Sequence, residues 1–176
     1  MRTLVLGGIR SGKSRWAEEA IAESAGDSVV RYLATGPAPD DDSWSARVAA
    51  HRLRRPTHWE TVESTDVATQ LHRSPGTAAL VDDVGNWLTA AMDRRDAWAG
   101  GSITGDVDDL VQAVHVFGSP LVLVSPEVGL TVVPATEAGR RFADALGTLN
   151  QRLAAVCDRV VLVVAGQALT IKSQGS

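Results

Sequence analysis

The stretch that most constrains this chain is its opening, where the apolar run Leu4, Val5, Leu6 leads into Gly7, Gly8, Ile9, Arg10, Ser11, Gly12, Lys13 and Ser14. A short apolar run that ends in glycine predicts a buried parallel strand feeding directly into a turn. The turn has the spacing G-x-x-x-x-G-K-[ST] of a phosphate-binding loop. Glycines in such a loop let successive backbone N–H groups converge on phosphate oxygens, an approach that a Cβ would obstruct. Lys13 would reach the β and γ phosphates, and the Ser14 hydroxyl would sit on Mg²⁺. Residues 15–24 carry apolar or small side chains at 16, 17, 20 and 21 and predict a helix. Its N-terminus would present the positive end of the helix dipole to the phosphates. The alternative is a Gly/Ser-rich turn with one surface lysine; strand, loop and helix arriving in the required order disfavour it.

The length of 176 residues is that of one domain with a real core, so residues 1–176 are expected to fold as a single nucleotide-binding catalytic domain. With 44% hydrophobic and 22% charged residues the chain has an ordinary globular composition, and its net charge of −4 argues against a nucleic-acid partner. The single cysteine, Cys157, excludes an intramolecular disulfide and a Cys-based metal cluster. No apolar run reaches the length of a membrane span, and the N-terminus lacks a basic region followed by a long apolar stretch. The expectation is a cytoplasmic protein without stable membrane insertion.

Further apolar runs predict strands over 29–34, 59–62, 77–81, 120–124, 160–164 and 169–172, the last two forming a hairpin around Gly166. Helices are predicted over 43–53, 66–72, 86–93, 107–117 and onward from 136. Phe142, Leu146, Leu149, Leu153 and Val156 make an apolar stripe on the last of these. The Gly100-Gly101 region, 94–105, reads as a mobile loop or protrusion. Together these predict an α/β fold of the phosphate-loop NTPase type, with a mostly parallel sheet flanked by helices and an antiparallel strand near the C-terminus. In open parallel sheets ligands gather at the carboxyl ends of strands, which singles out Ala34, Thr35 and Gly36, either as nucleotide contacts or as a plain strand exit. Asp82 and Asp83 end another apolar strand. An acid there either holds Mg²⁺ beside Ser14 or caps the next helix, and in a phosphate-loop protein the metal role is favoured. Glu63 and Glu127 also fall at strand ends.

His51 stands among Arg47, Arg52, Arg54 and Arg55. Such a run can be no more than a solvated face, with the histidine structural. Neighbouring positive charge, however, lowers a histidine pKa and keeps the ring neutral, and only a neutral ring nitrogen is a nucleophile. The arginines would bind the phosphates of whatever it attacks.

The phosphate loop 6–14, Tyr32 to Thr35, Ala46 to Pro56 around His51, Glu127 to Gly129 with Val133-Pro134, and Leu149 to Leu153 occur in an order and spacing that resemble the bifunctional adenosylcobinamide kinase/adenosylcobinamide-phosphate guanylyltransferases of cobalamin biosynthesis. The resemblance spans essentially the whole chain. It implies that ATP or GTP phosphorylates the aminopropanol hydroxyl of adenosylcobinamide. GTP would then guanylylate a histidine, matched by His51, and the phosphorylated corrinoid would take the GMP to give adenosylcobinamide-GDP. Nucleotide contacts carry over onto Gly7 to Ser14, Ala34 to Gly36, Arg52, Leu53, Arg54, Arg55, Glu63 and Asp82. The resemblance also implies a homo-oligomer, a trimer. Pro126, Thr131 and the Asp82-Asp83 pair depart from the family pattern, which often has Asn, Gly and an acid-Cys pair at these places.

Three other readings compete. A single-step small-molecule kinase would use the same loop and Asp82 without a covalent histidine intermediate. A GTP-dependent switch finds its D-x-x-G element in Asp82 to Gly85, but the chain has no Asn-Lys-x-Asp sequence. A pure ATPase binding module would bind nucleotide without a corrinoid.

Overall fold

The structure is a computed structural model that describes residues 1–36, 55–130 and 132–173. The helix expected over 43–53 and the residues His51, Arg52, Leu53, Arg54 and Thr131 lie outside the described residues.

Seven strands form one sheet in the order β3-β2-β4-β5-β1-β6-β7. They are β1 Arg2–Gly7, β2 Val30–Ala34, β3 Glu60–Glu63, β4 Ala78–Asp82, β5 Leu121–Pro126, β6 Arg159–Val164 and β7 Gln167–Ser173. All neighbours pair in parallel except β6 and β7, which are antiparallel. The hairpin turn carries Ala165 at φ 51 and Gly166 at φ 76. Two successive left-handed residues are what a two-residue turn needs to match the twist of its strands. The expected end of β7 at 172 is extended by one residue, Ser173.

Parallel pairing requires crossovers, and these bury both faces of the central strands, which explains their continuous apolar runs. One face packs on helix α1, Lys13–Ala25, through Ala17 and Ile21 against Val5, Tyr32, Leu80 and Val124. The other packs on α2 Val67–Arg73, α3 Val84–Arg94, α4 Thr104–Val116 and α5 Glu137–Val156. Leu146, Leu149 and Leu153 of α5 are fully buried there, with Phe142 and Val156 packed at the margin, so the predicted stripe is core. The stretch 94–105, expected as a mobile loop or protrusion, is anchored by a 3-10 turn at Ala97–Ala99. Trp98 stacks on Phe142 with centroids 6.4 Å apart and donates its indole N–H to Asp93, while Ala97 is buried. The aromatic contact was hidden in sequence because its partner lies more than forty positions away on another helix.

Register decides which strand ends meet. Gly7 pairs with Pro126, Ala34 with both Asp82 and Glu63, and Asp82 with Val124. The carboxyl ends of β1, β2, β4 and β5 therefore share one rim.

Candidate active site

The phosphate-binding loop runs from the end of β1 to the start of α1. Gly7 is needed for space: a Cβ there would collide with Ser11 Oγ and stand 2.7 Å from the Val163 carbonyl oxygen. Gly12 is needed for conformation, at φ 96 with the Gly166 Cα only 3.3 Å from where its Cβ would be. The Gly166 N–H donates to the Ser11 carbonyl at 2.8 Å, so the β6–β7 turn supports the loop from beneath. Buried Ser11 accepts the Lys13 N–H on its Oγ at 3.3 Å, and Lys13 Nζ reaches back to the Gly8 carbonyl at 3.5 Å. No side chain caps α1. A helix that begins with glycine and no capping side chain presents N–H groups and a positive dipole end, a ready anion site.

Opposite the loop, β4 delivers two adjacent acids that do different work. Asp83 is the N-cap of α3, with its Oδ1 accepting the Gly85 N–H. Burial and the neighbouring Asp82 charge push its carboxyl up to about 6, against the pull of the Gly85 amide and the Lys13 ammonium. Capping thus falls to Asp83 and leaves Asp82 for other duty. Asp82 Oδ2 accepts the hydroxyl proton of Tyr32, and among the described residues its Oδ1 takes no hydrogen bond. Gly85, the glycine of the D-x-x-G match, is buried, packs against the Pro126 ring and spends its N–H on Asp83. Here it serves as a helix-start glycine.

Among the nucleotide residues predicted on β2, Ala34 gives its carbonyl to the Ser64 N–H at 3.0 Å. Thr35 turns inward: it is buried, its hydroxyl donates to the Asp83 carbonyl, and it accepts the Asp83 N–H at 2.8 Å. Its side chain holds the β4 end in place and offers no surface to a ligand. Gly36 is half-buried, and a Cβ there would stand 3.2 Å from Asn86 Nδ2. Glu63 is exposed at the end of the outer strand β3, on the far side of β2 from Asp82. Arg55 lays its guanidinium 3.3 Å above the centre of the Tyr32 ring and donates to Thr61 Oγ1 at 3.2 Å. Glu127 follows β5, donates its N–H to the Gly7 carbonyl at 3.1 Å and accepts the Gly129 N–H at 2.7 Å on its own carboxylate.

The rim therefore brings together the loop, Lys13, Ser14, Asp82, Gly36 and Arg55. Three participants escaped sequence reasoning. Tyr32, Asn86 and Asn150 were not singled out as site residues, yet Tyr32 meets Asp82 and Arg55. Asn150, buried on α5, accepts the Ser125 hydroxyl at 2.6 Å and donates to the Pro126 carbonyl at 3.1 Å, fixing the end of β5. A polar residue on the apolar stripe between Leu146 and Leu153 was the available signal. With Pro126 at this strand end, its ring packs on Gly85 and its carbonyl still serves Asn150.

Ser14 and Asp82 suit Mg²⁺, a hard cation that takes few protein oxygens and completes its shell with phosphate and water. Among the described residues no group of three or more His, Cys, Asp or Glu side chains could hold a metal by itself. No helix is long and apolar enough to cross a membrane, again among the described residues.

A family model described as CobU, cobinamide kinase / cobinamide phosphate guanyltransferase, matches residues 3–171. The bifunctional adenosylcobalamin biosynthesis protein CobP of Pseudomonas aeruginosa is 40% identical over 177 residues, covering 99% of both chains. The bifunctional adenosylcobalamin biosynthesis protein CobU of Escherichia coli is 37% identical over 185 residues, covering 98% of this chain and 100% of that one. Its counterpart in Salmonella typhimurium is 35% identical over 192 residues at the same coverage. Among solved structures, a prototypical ATPase from the type III secretion system of pathogenic bacteria superposes with TM-score 0.60 at 12% identity, covering 98% of this chain and 57% of that one. That likeness is one of fold, and it agrees with the phosphate-loop NTPase architecture read from the sequence.

Proposed function

The chain belongs to the cobinamide kinase / cobinamide phosphate guanyltransferase family, and from that membership we propose how one nucleotide site serves both of its steps. The enzyme is bifunctional and acts in cobalamin biosynthesis. In the kinase step the aminopropanol hydroxyl of adenosylcobinamide attacks the γ-phosphorus of ATP or GTP, the bond to the β-phosphate oxygen breaks, and the hydroxyl proton is lost. Gly7 to Ser14 hold the phosphates through backbone N–H groups, and Lys13 balances the charge that spreads over the transferring group. Ser14 and Asp82 would hold Mg²⁺, which would supply neutralising charge to the nucleotide phosphates.

In the transfer step a neutral ring nitrogen of His51 attacks the α-phosphorus of GTP and pyrophosphate leaves. A phosphate oxygen of the phosphorylated corrinoid then attacks the same phosphorus, the P–N bond breaks, and adenosylcobinamide-GDP forms with the histidine restored. Arg52, Arg54 and Arg55 steady the phosphates, with Leu53, Gly36 and Glu63 completing the nucleotide surface. The observation that carries this reading is the position of Arg55: it follows His51 closely in sequence, and its guanidinium lies on Tyr32, which in turn touches Asp82. That contact supports one shared nucleotide site for the histidine segment and the kinase rim. The working form is a homo-oligomer, a trimer, a reading supported by the exposed aliphatic side chains Val164, Leu169 and Ile171 along the β6–β7 edge.

The test is incubation with Mg²⁺ and GTP labelled at the α-phosphate, followed by denaturation. The expected result is protein-bound label that is acid-labile, alkali-stable and absent from His51→Ala. A folded, GTP-binding protein that takes up no label would reject the histidine route in favour of a single-step kinase.

A further inference from the structure

Among the described residues, Tyr32 is a side chain that touches both halves of the proposed site. It lies on the α1 face of β2, which places its ring in the apolar cluster with Val30, Ala17 and Leu80, and it is only 3% exposed. A tyrosine buried among aliphatic side chains needs a partner for its hydroxyl, and here the partner is Asp82 Oδ2. Of the two groups the phenol is the one that brings a proton to this bond and the carboxylate accepts it. The ring's other neighbour is the Arg55 guanidinium, 3.3 Å from the ring centre, a distance at which stacking orients a cation.

We propose that Tyr32 is a positioning residue for both reactions: its hydroxyl fixes the carboxylate rotamer of Asp82, and its ring is the platform on which Arg55 docks. The inference rests on reading Asp82 as a metal-holding acid and the 51–55 stretch as the guanylylation segment. Because β2 and β4 are paired with Ala34 opposite Asp82, this geometry is built into the sheet register. The hydroxyl and the ring serve different partners, so they can be removed separately. Tyr32→Phe deletes the hydroxyl and keeps the platform; Tyr32→Leu deletes both.

Two measurements on the full chain separate the roles. The first is Mn²⁺ binding in the presence of a non-hydrolysable GTP analogue, followed by the electron paramagnetic resonance of free Mn²⁺. The second is the rate of protein labelling by α-labelled GTP at saturating metal. Losing a partner that orients a metal-binding carboxylate costs roughly 10- to 100-fold in metal affinity. Tyr32→Phe is therefore expected to weaken Mn²⁺ binding about tenfold or more, and its labelling rate at saturating metal is the reference against which the loss of the ring is read. Tyr32→Leu is expected to show the same metal defect and a further several-fold loss of labelling. Asp82→Asn is the control. If it loses Mn²⁺ affinity and Tyr32→Phe does not, the hydroxyl role is overturned while the metal reading of Asp82 stands. If Asp82→Asn binds Mn²⁺ normally, both fall. Labelling by Tyr32→Leu at the rate of Tyr32→Phe would overturn the platform role, and an unlabelled parent protein would overturn it together with the histidine reading. Thermal unfolding of each variant identifies misfolding, and the near-isosteric Tyr32→Phe keeps the hydroxyl role decidable in any case.

Discussion

Gly7 and Gly8 stand side by side in the same motif, yet they do different things. At Gly7 the missing Cβ makes room for the loop itself, since the Val163 carbonyl is backbone and cannot step aside. At Gly8 nothing lies within 4 Å of a would-be Cβ, so its openness serves only an approaching ligand. Gly7→Ala is expected to lower stability by roughly 1–3 kcal/mol, the usual cost of overpacking, and to abolish nucleotide binding with it. Gly8→Ala is expected to stay within about 0.5 kcal/mol of the parent, as surface substitutions do, while losing the stabilisation that GTP confers. Thermal unfolding with and without GTP distinguishes the two, and equal destabilisation by both would refute the division. The same lesson applies to Asp82 and Asp83. Sequence placed both acids at the end of an apolar strand, but which one caps α3 depends on backbone direction over a single residue.

The strands and the helices of the described residues were legible because burial on both sheet faces writes continuous apolar runs, and burial on one helix face writes a stripe such as Leu146, Leu149 and Leu153. The strand-loop-helix arrangement of the phosphate-loop motif was legible because its spacing is local. What joins elements was not: Tyr32 meets Asp82 only through the β2–β4 register, and Asn150 meets Pro126 only once α5 lies across β5. The Arg2–Asp158 pair is a further case. Arg2 opens β1 and Asp158 immediately precedes β6; the Arg2 backbone N–H and guanidinium both reach the carboxylate at 2.7 Å. The guanidinium also donates to the His115 carbonyl at the end of α4. Arg2 holds the Asp158 carboxyl down to about 2. Because the folded pKa lies below the unfolded one, the stabilisation is complete above about pH 4 and is lost as pH falls through about 2. With each side chain about a fifth exposed, solvent screening trims the contribution to about 1–2 kcal/mol. Urea unfolding from pH 7 to pH 2 should show Asp158→Asn weaker at neutral pH and converging on the parent at the acid end. A constant gap across that range would mean the residue acts through something other than its charge.

At the scale of the whole molecule, the sheet order explains how a chain of this size can house two reactions. β1 and β4 are separated only by β5, which puts the loop and Asp82 on one rim; His51 falls in the sequence between β2 and β3, and Arg55, four positions on, lies beside Tyr32. The proposed reading, one phosphate cradle attacked at the γ-phosphorus by a hydroxyl and at the α-phosphorus by a histidine, makes an asymmetric prediction. On that reading Lys13 lies in the part that both reactions share, and removal of one such charge-stabilising group costs on the order of 10²–10³ in rate. Lys13→Ala should therefore suppress phosphorylation of adenosylcobinamide and guanylyl transfer to its phosphate by comparable factors. His51→Ala should leave the first within a few-fold and eliminate the second. Assaying the steps separately, one with adenosylcobinamide and ATP and the other with adenosylcobinamide-phosphate and GTP, gives four rates. If Lys13→Ala spared guanylyl transfer, the two chemistries would need separate nucleotide sites, and the shared rim would lose its role in the second.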